Sequence, residues 1–90
     1  MIARQPGIRR GRPILAGTSV SVNRIVRWHK QGIAPEEIGR RIGHVSIAQI
    51  YAALTYYHAN REAVEADMAG EDEEADRLEQ EWYEAERGQR

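Results

Sequence analysis

The chain contains no cysteine, so neither a disulfide nor a thiolate-held metal can staple it. That absence suits a reducing compartment, and the expected location is the cytoplasm. No run of about 18 apolar residues exists, which argues against a membrane-crossing helix. The opening MIARQPGIRR carries charge where a secretory leader has an apolar core, so export is not expected. Also missing are a nucleophile beside a base, a phosphate-cradling glycine loop and a cluster of metal-ligating side chains. With them goes any expectation of catalysis, a cofactor or a bound metal. Ninety residues hold one small domain, which buries only about 60% of the surface its unfolded chain exposes. Without staples, dimerisation or a partner protein is the expected source of further burial.

Charge is present in both signs but unevenly. Residues 1–45 carry eight arginines and one lysine against Glu36 and Glu37, a net of +7. Residues 46–90 carry four arginines against twelve carboxylates, a net of −8. Such asymmetry points to a basic half that meets a polyanion and an acidic half with another partner. A plainer reading is that the two halves attract each other.

Local patterns divide the chain into a basic arm (1–12), a small domain (13–69) and an acidic tail (70–90). The arm carries Pro6, Gly7, Gly11 and four arginines and reads as irregular. Pro13–Ala16 and Ser19–Val22 flank Gly17-Thr18, a β-hairpin signal. An isolated hairpin is barely stable in water, so its strands must pack on helices or exchange between two copies. The period then changes to that of a helix: Val22, Ile25, Val26 and His29 form one face, with Asn23, Arg24, Arg27 and Lys30 opposite. Ser21 suits its N-cap and Gly32 its C′ position. Pro35 opens a second helix, with Glu36 and Glu37 at the positive end of its dipole. Ile38 and Ile42 face inward, Arg40 and Arg41 outward, and Gly43 stops the helix. Ser46 and Gln49 then form a capping box, with Val45 and Ile50 placed for a hydrophobic staple. Ile47, Ile50, Tyr51, Leu54 and His58 make an apolar stripe, and Leu54, Tyr57, Val64 and Met68 could carry the helix to Gly70. That is about 36 Å of helix, too long for so small a core. In the tail, Ala75, Leu78, Trp82 and Ala85 repeat at 3-4-3 spacing within a charge density that alone favours disorder. The expected element is a helix that orders or packs on a partner.

A short helix, a glycine turn and a capped helix, preceded by a packing helix, give a helix-turn-helix-like arrangement. The expected phosphate contacts are Arg10, Arg12, Arg24, Arg27, Lys30, Arg40 and Arg41. Recognition would fall to the helix from Ser46, whose first three turns offer only Ser46, Gln49 and Thr55 as polar side chains, with His44 just outside; Gln49 suits adenine, but no arginine stands ready for guanine. A tri-helical fold used only for packing is the competing reading. Arg10-Gly11-Arg12-Pro13 also spells the core of an AT-hook, which lays arginines in narrow minor grooves. Tyr51, Tyr56 and Tyr57 read as core or interface residues rather than base-stacking ones, with Tyr56 the most exposed of the three. His29 is expected to face the core and bond a backbone group.

These residues carry a resemblance. Gly11-Arg12-Pro13, Ile14-Leu15-Ala16-Gly17-Thr18, Val20 and Val22 are similar to the opening of the domain-of-unknown-function 433 family. Ile25, Gly32, Pro35-Glu36-Glu37-Ile38, Ile47, Ile50, Tyr51-Ala52-Ala53-Leu54 and Tyr56-Tyr57 continue the likeness, over roughly residues 6–65. Members are regarded as predicted antitoxins of type II toxin–antitoxin pairs, beside toxins resembling PIN-domain nucleases. The resemblance implies a mainly α fold: a short β element, then a tri-helical helix-turn-helix or winged-helix-like domain, usually dimeric. Two departures stand out. Ser19 replaces the arginine common after Gly-Thr, and His29 stands where a leucine is frequent.

The expectation is therefore an antitoxin without enzymatic activity. A homodimeric N-terminal domain would bind operator DNA, and the acidic tail would hold a PIN-like ribonuclease through Leu78, Trp82 and Tyr83. The alternatives are a stand-alone dimeric helix-turn-helix regulator without a toxin, and an adaptor that never touches nucleic acid.

Overall fold

The computed structural model describes residues 1–88. Its elements are β1 (Ile2–Ala3), β2 (Ile14–Leu15), α1 (Val22–Lys30), α2 (Pro35–Ile42), α3 (Ile47–Ala59) and α4 (Arg61–Gly88). The fold is mainly α, with a small antiparallel β element ahead of the helices.

The arm is not irregular throughout. Its first residues form β1, which pairs antiparallel with β2 in the register Ile2↔Leu15 and Ala3↔Ile14. On its other side β2 meets the second half of the anticipated hairpin: Leu15 N–H donates to the Val20 carbonyl at 2.9 Å, and Val22 N–H to that of Pro13 at 3.0 Å. Gly17 takes a left-handed φ of 79° in the turn, and the Thr18 hydroxyl donates to the Leu15 carbonyl at 2.8 Å. The strands thus pair within one chain. Ile14 and Leu15, fully buried, tie this small sheet to the helices.

The helix boundaries follow local chemistry. Ser21 Oγ accepts from Arg24 N–H at 3.1 Å and caps α1, and Gly32 turns left-handed just past its end. Pro35 begins α2, and Gly43, at φ 85°, closes it. Gln49 N–H donates to Ser46 Oγ at 3.1 Å while Ser46 N–H donates to Gln49 Oε1 at 2.7 Å, completing the capping box of α3. The expected continuous helix to Gly70 is instead two helices. Asn60 leaves the helical region at φ −134° and ψ 38°, and its side-chain amide donates to the Tyr56 carbonyl at 3.0 Å. Asparagine competes in this way with the helical backbone, and α4 restarts in a new direction at Arg61.

The core lies between α1, α2 and α3, around Val22, Ile25, Val26, Ile38, Ile50 and Ala53. Val64 and Met68 of α4 add to it, and Met68 is the last buried residue among those described. The inward stripe of α3 is Ile50, Ala53, Leu54 and Tyr57. Ile47 and Tyr51, expected on that stripe, are 44% and 49% exposed, because the face that α3 turns to α1 and α2 runs through Ala53 and Tyr57 instead. Tyr51, not Tyr56, is thus the most exposed of the three tyrosines. Beyond Met68 the 28-residue α4 runs out of the domain and stretches the molecule to 51 × 25 × 24 Å. Among the described residues, no helix is long and apolar enough to cross a membrane.

Candidate nucleic-acid and partner interfaces

The arginines and lysine expected to contact phosphate fall into two groups. Arg10, Arg12, Arg27 and Lys30 face α4. Arg10 pairs with Glu74, and Arg12 Nε donates to Asp67 at 3.0 Å. Arg27 reaches Asp72 at 3.0 Å and Glu71 at 3.4 Å, and it also donates to the Met68 carbonyl at 3.3 Å. Lys30 Nζ lies 2.7 Å from Glu65. The mutual attraction of the two halves is therefore realised within the chain.

Asn23, placed by periodicity on the solvent face of α1, is 97% removed from solvent, with 3% exposed. Its amide donates to Asp67 at 2.8 Å and to Glu71. Nearby, Tyr57 O–H donates to Glu65. This network holds the Glu65 carboxyl below its ordinary range, chiefly through the Lys30 hydrogen bond and then that of Tyr57. Bonding to Glu65 raises both Lys30 and the Tyr57 phenol above their usual values. The Arg12 guanidinium is likewise raised by its hydrogen bond to Asp67. Spacing within α1 alone does not reveal these partners. The signal that does is the complementary run of Glu65, Asp67, Glu71 and Asp72 on a later helix.

The AT-hook spelling takes a different shape from an extended minor-groove ligand. Arg9, Arg10 and Gly11 all sit at positive φ, 51°, 55° and 77°. A left-handed conformation costs a non-glycine residue roughly 1–2 kcal/mol. The turn is held by Arg9 Nε, which donates to the Ser19 carbonyl at 2.9 Å, and by the Arg10 and Arg12 pairs with α4. The arm's arginines are folded back onto their own chain.

The second group makes no ion pair with α4 among the described residues. Arg24 and Arg41 flank the Trp28 ring, their guanidinium carbons 5.1 and 5.8 Å from its centroid. Such stacking leaves guanidinium edges free to bond anions. Arg40 and Arg41 share Glu37 at 2.7 and 3.4 Å, which are exposed pairs of small energetic weight. His44 is exposed in the turn between α2 and α3. Ser46 Oγ and Gln49 Oε1 each accept the other residue's backbone N–H in the capping box. What α3 turns outward is Ile47, Ala48, Tyr51 and Thr55, then His58 and Ala59 at its end, with Tyr51 O–H donating to Glu36 at 3.4 Å. His29 meets the edge of the His58 ring at 5.9 Å in place of the expected backbone bond. Among the described residues no group of three or more His, Cys, Asp or Glu side chains is placed to hold a metal.

The partner-binding candidates sit on the projecting end of α4. Leu78, Trp82 and Tyr83 are 54%, 60% and 53% exposed, with the Trp82 and Tyr83 rings edge-to-face at 5.5 Å. Residues 71–88 surround them with nine carboxylates and two arginines. The stripe that begins with the buried Val64 and Met68 continues here, at heptad spacing, as Ala75, Leu78, Trp82 and Ala85.

Compared with known proteins, the chain matches no curated protein and no solved structure. A family model does match, described as "Protein of unknown function (DUF433)". It spans both strands, α1, α2 and α3 as far as Tyr57, and leaves α4 outside. Since residues 2–57 make up well over half of the chain, the protein belongs to the DUF433 family.

Proposed function

We propose that the protein is the antitoxin of a type II toxin–antitoxin pair, gripping a PIN-like ribonuclease through the outer half of α4 and operator DNA through its N-terminal domain. The observation that carries this reading is the exposed Leu78, Trp82 and Tyr83 on a helix that leaves the domain. Large apolar and aromatic side chains in an acidic, solvated helix cost solubility unless a partner covers them, and tryptophan and tyrosine are enriched where binding energy concentrates. The family resemblance supplies the kind of partner. The cationic surface at Trp28, formed by Arg24 and Arg41, supports the DNA half.

The test is calorimetric titration of the full chain with the product of the adjacent gene. Trp82→Ala is expected to weaken binding by about 2–4 kcal/mol, the range of a central aromatic anchor, without moving the melting temperature. Equal affinity of the two chains would remove Trp82 from the interface.

A stand-alone dimeric helix-turn-helix regulator is favoured by one separate feature, the outward pair Ile47 and Tyr51 on α3. It predicts a dimer that binds DNA and shows no affinity for the neighbouring gene product.

A further inference from the structure

The ion pairs between α4 and the basic half are unequally anchored. Up to Met68 the helix is fixed by buried apolar side chains. From residue 71 onward nothing on it is buried among the described residues; there Glu71, Asp72 and Glu74 make their hydrogen bonds and ion pairs with the domain through Asn23, Arg27 and Arg10. Gly70 sits between the two regimes, at the point where helix propensity is lowest. The Arg10 side chain remains 74% exposed and that of Arg27 37% exposed, so a phosphate can approach each while its carboxylate is in place. Exposed ion pairs contribute little and exchange readily. A nucleic-acid backbone, by contrast, gains counterion release with every cation it engages.

We infer that the arm and α1 form a second nucleic-acid-binding surface that α4 keeps closed with its own carboxylates. It opens when a duplex backbone displaces the segment beyond Gly70 from Arg10 and Arg27. The carboxylates of α4 stand where phosphates would lie, so duplex and helix compete for the same cations. The surface adjoins the Trp28 face at Arg24, which shares a concavity with Arg27 and Glu71, and the inference rests on the DNA-binding half of the proposed function.

The experiment uses the full chain and a 20-base-pair DNA duplex of arbitrary sequence, with binding read by fluorescence anisotropy between 50 and 200 mM salt (about the range over which phosphate contacts dominate). An opened variant carries Glu71→Gln, Asp72→Asn and Glu74→Gln. A charge-matched control carries Glu79→Gln, Glu81→Gln and Glu86→Gln, which meet no basic partner among the described residues. The opened variant is expected to bind about tenfold more tightly. Its logarithmic salt slope should be steeper by about 2, from two freed cations at roughly 0.9 each. The control should match the natural chain within about twofold, since none of its changes removes a carboxylate paired with Arg10 or Arg27. Adding Arg10→Ala and Arg27→Ala to the opened variant should cancel the gain. An equal gain in control and opened variant overturns the inference, as does no gain in a variant with an intact thermal transition. If the triple variant loses that transition, Glu74→Gln alone decides, with a slope change of about 1 expected and none overturning. Binding that is the same in all chains removes the competition and leaves DNA binding standing. No binding by any chain overturns both.

Discussion

Asn23 shows how one side chain sets the relation between the two halves of the molecule. It is buried between α1 and α4, and its amide supplies both of its protons to carboxylates, those of Asp67 and Glu71. A neutral donor there satisfies two anions without adding a charge to be desolvated. Replacing it with aspartate would keep the shape and reverse the chemistry, setting a third carboxylate against two. Hydrogen bonds to charged groups contribute roughly 1.5–3 kcal/mol, and the added repulsion acts in the same direction. Asn23→Asp is therefore expected to lower unfolding stability by about 3 kcal/mol in urea titration; a change under about 0.5 kcal/mol would show that α4 does not depend on this contact. Reading the chain in order places Asn23 on the solvent face of α1, and correctly so for α1 alone. Its burial comes from a helix more than 40 residues further along, and no periodicity within α1 carries that information. The same reason hides Glu65, whose partners Lys30 and Tyr57 lie on two other helices.

Elements were legible where their ends are chemical and obscure where their ends are competitive. Ser21, Gly32, Pro35, Gly43 and the Ser46–Gln49 box each act within a few residues, so the bounds of α1, α2 and the start of α3 follow from sequence. The break at Asn60 is different, because a residue compatible with a helix interior takes a bond to the Tyr56 carbonyl instead. The strand at Ile2–Ala3 was hidden by the arginines and glycines around it; its pairing depends on Ile14 and Leu15 being placed first. Within α4 the weak point is Gly70. A Cβ added there meets nothing within 4 Å, and its φ is not left-handed, so Gly70→Ala adds helix propensity without strain. The change is worth roughly 0.5–1 kcal/mol. It is expected to raise helicity at 222 nm and to shift the urea midpoint upward by that amount. A rise in helicity with no midpoint shift would place the segment beyond Gly70 outside the cooperative unit of the fold.

At the scale of the whole molecule, a basic body is partly neutralised by an acidic helix that overshoots it. A compact chain of this length has a radius of gyration of about 12 Å, against 15.5 Å here, and the excess is the projecting half of α4. That geometry leaves Leu78, Trp82 and Tyr83 clear of the domain while the inner half fastens to it. Ionic fastening makes the join sensitive to pH, with a sign fixed by the shifts. Glu65 is lowered in the folded chain, so its contribution is complete above the unfolded carboxyl value, about 4.3. It is lost as pH falls through the lower folded value. Lys30 is raised, so its contribution is complete below about 10.4 and is lost as pH rises through the higher folded value. The expected profile is a plateau of melting temperature from about pH 5 to about pH 10 with a decline on either side. Glu65→Gln removes the anion that both Lys30 and Tyr57 depend on. That variant should melt lower across the plateau and show a shallower acid limb, because one of the protons taken up on acid unfolding is gone. Superimposable acid limbs in the two chains would mean that α4 is held by its apolar contacts at Val64 and Met68, with the Lys30–Glu65 pair contributing nothing to the join.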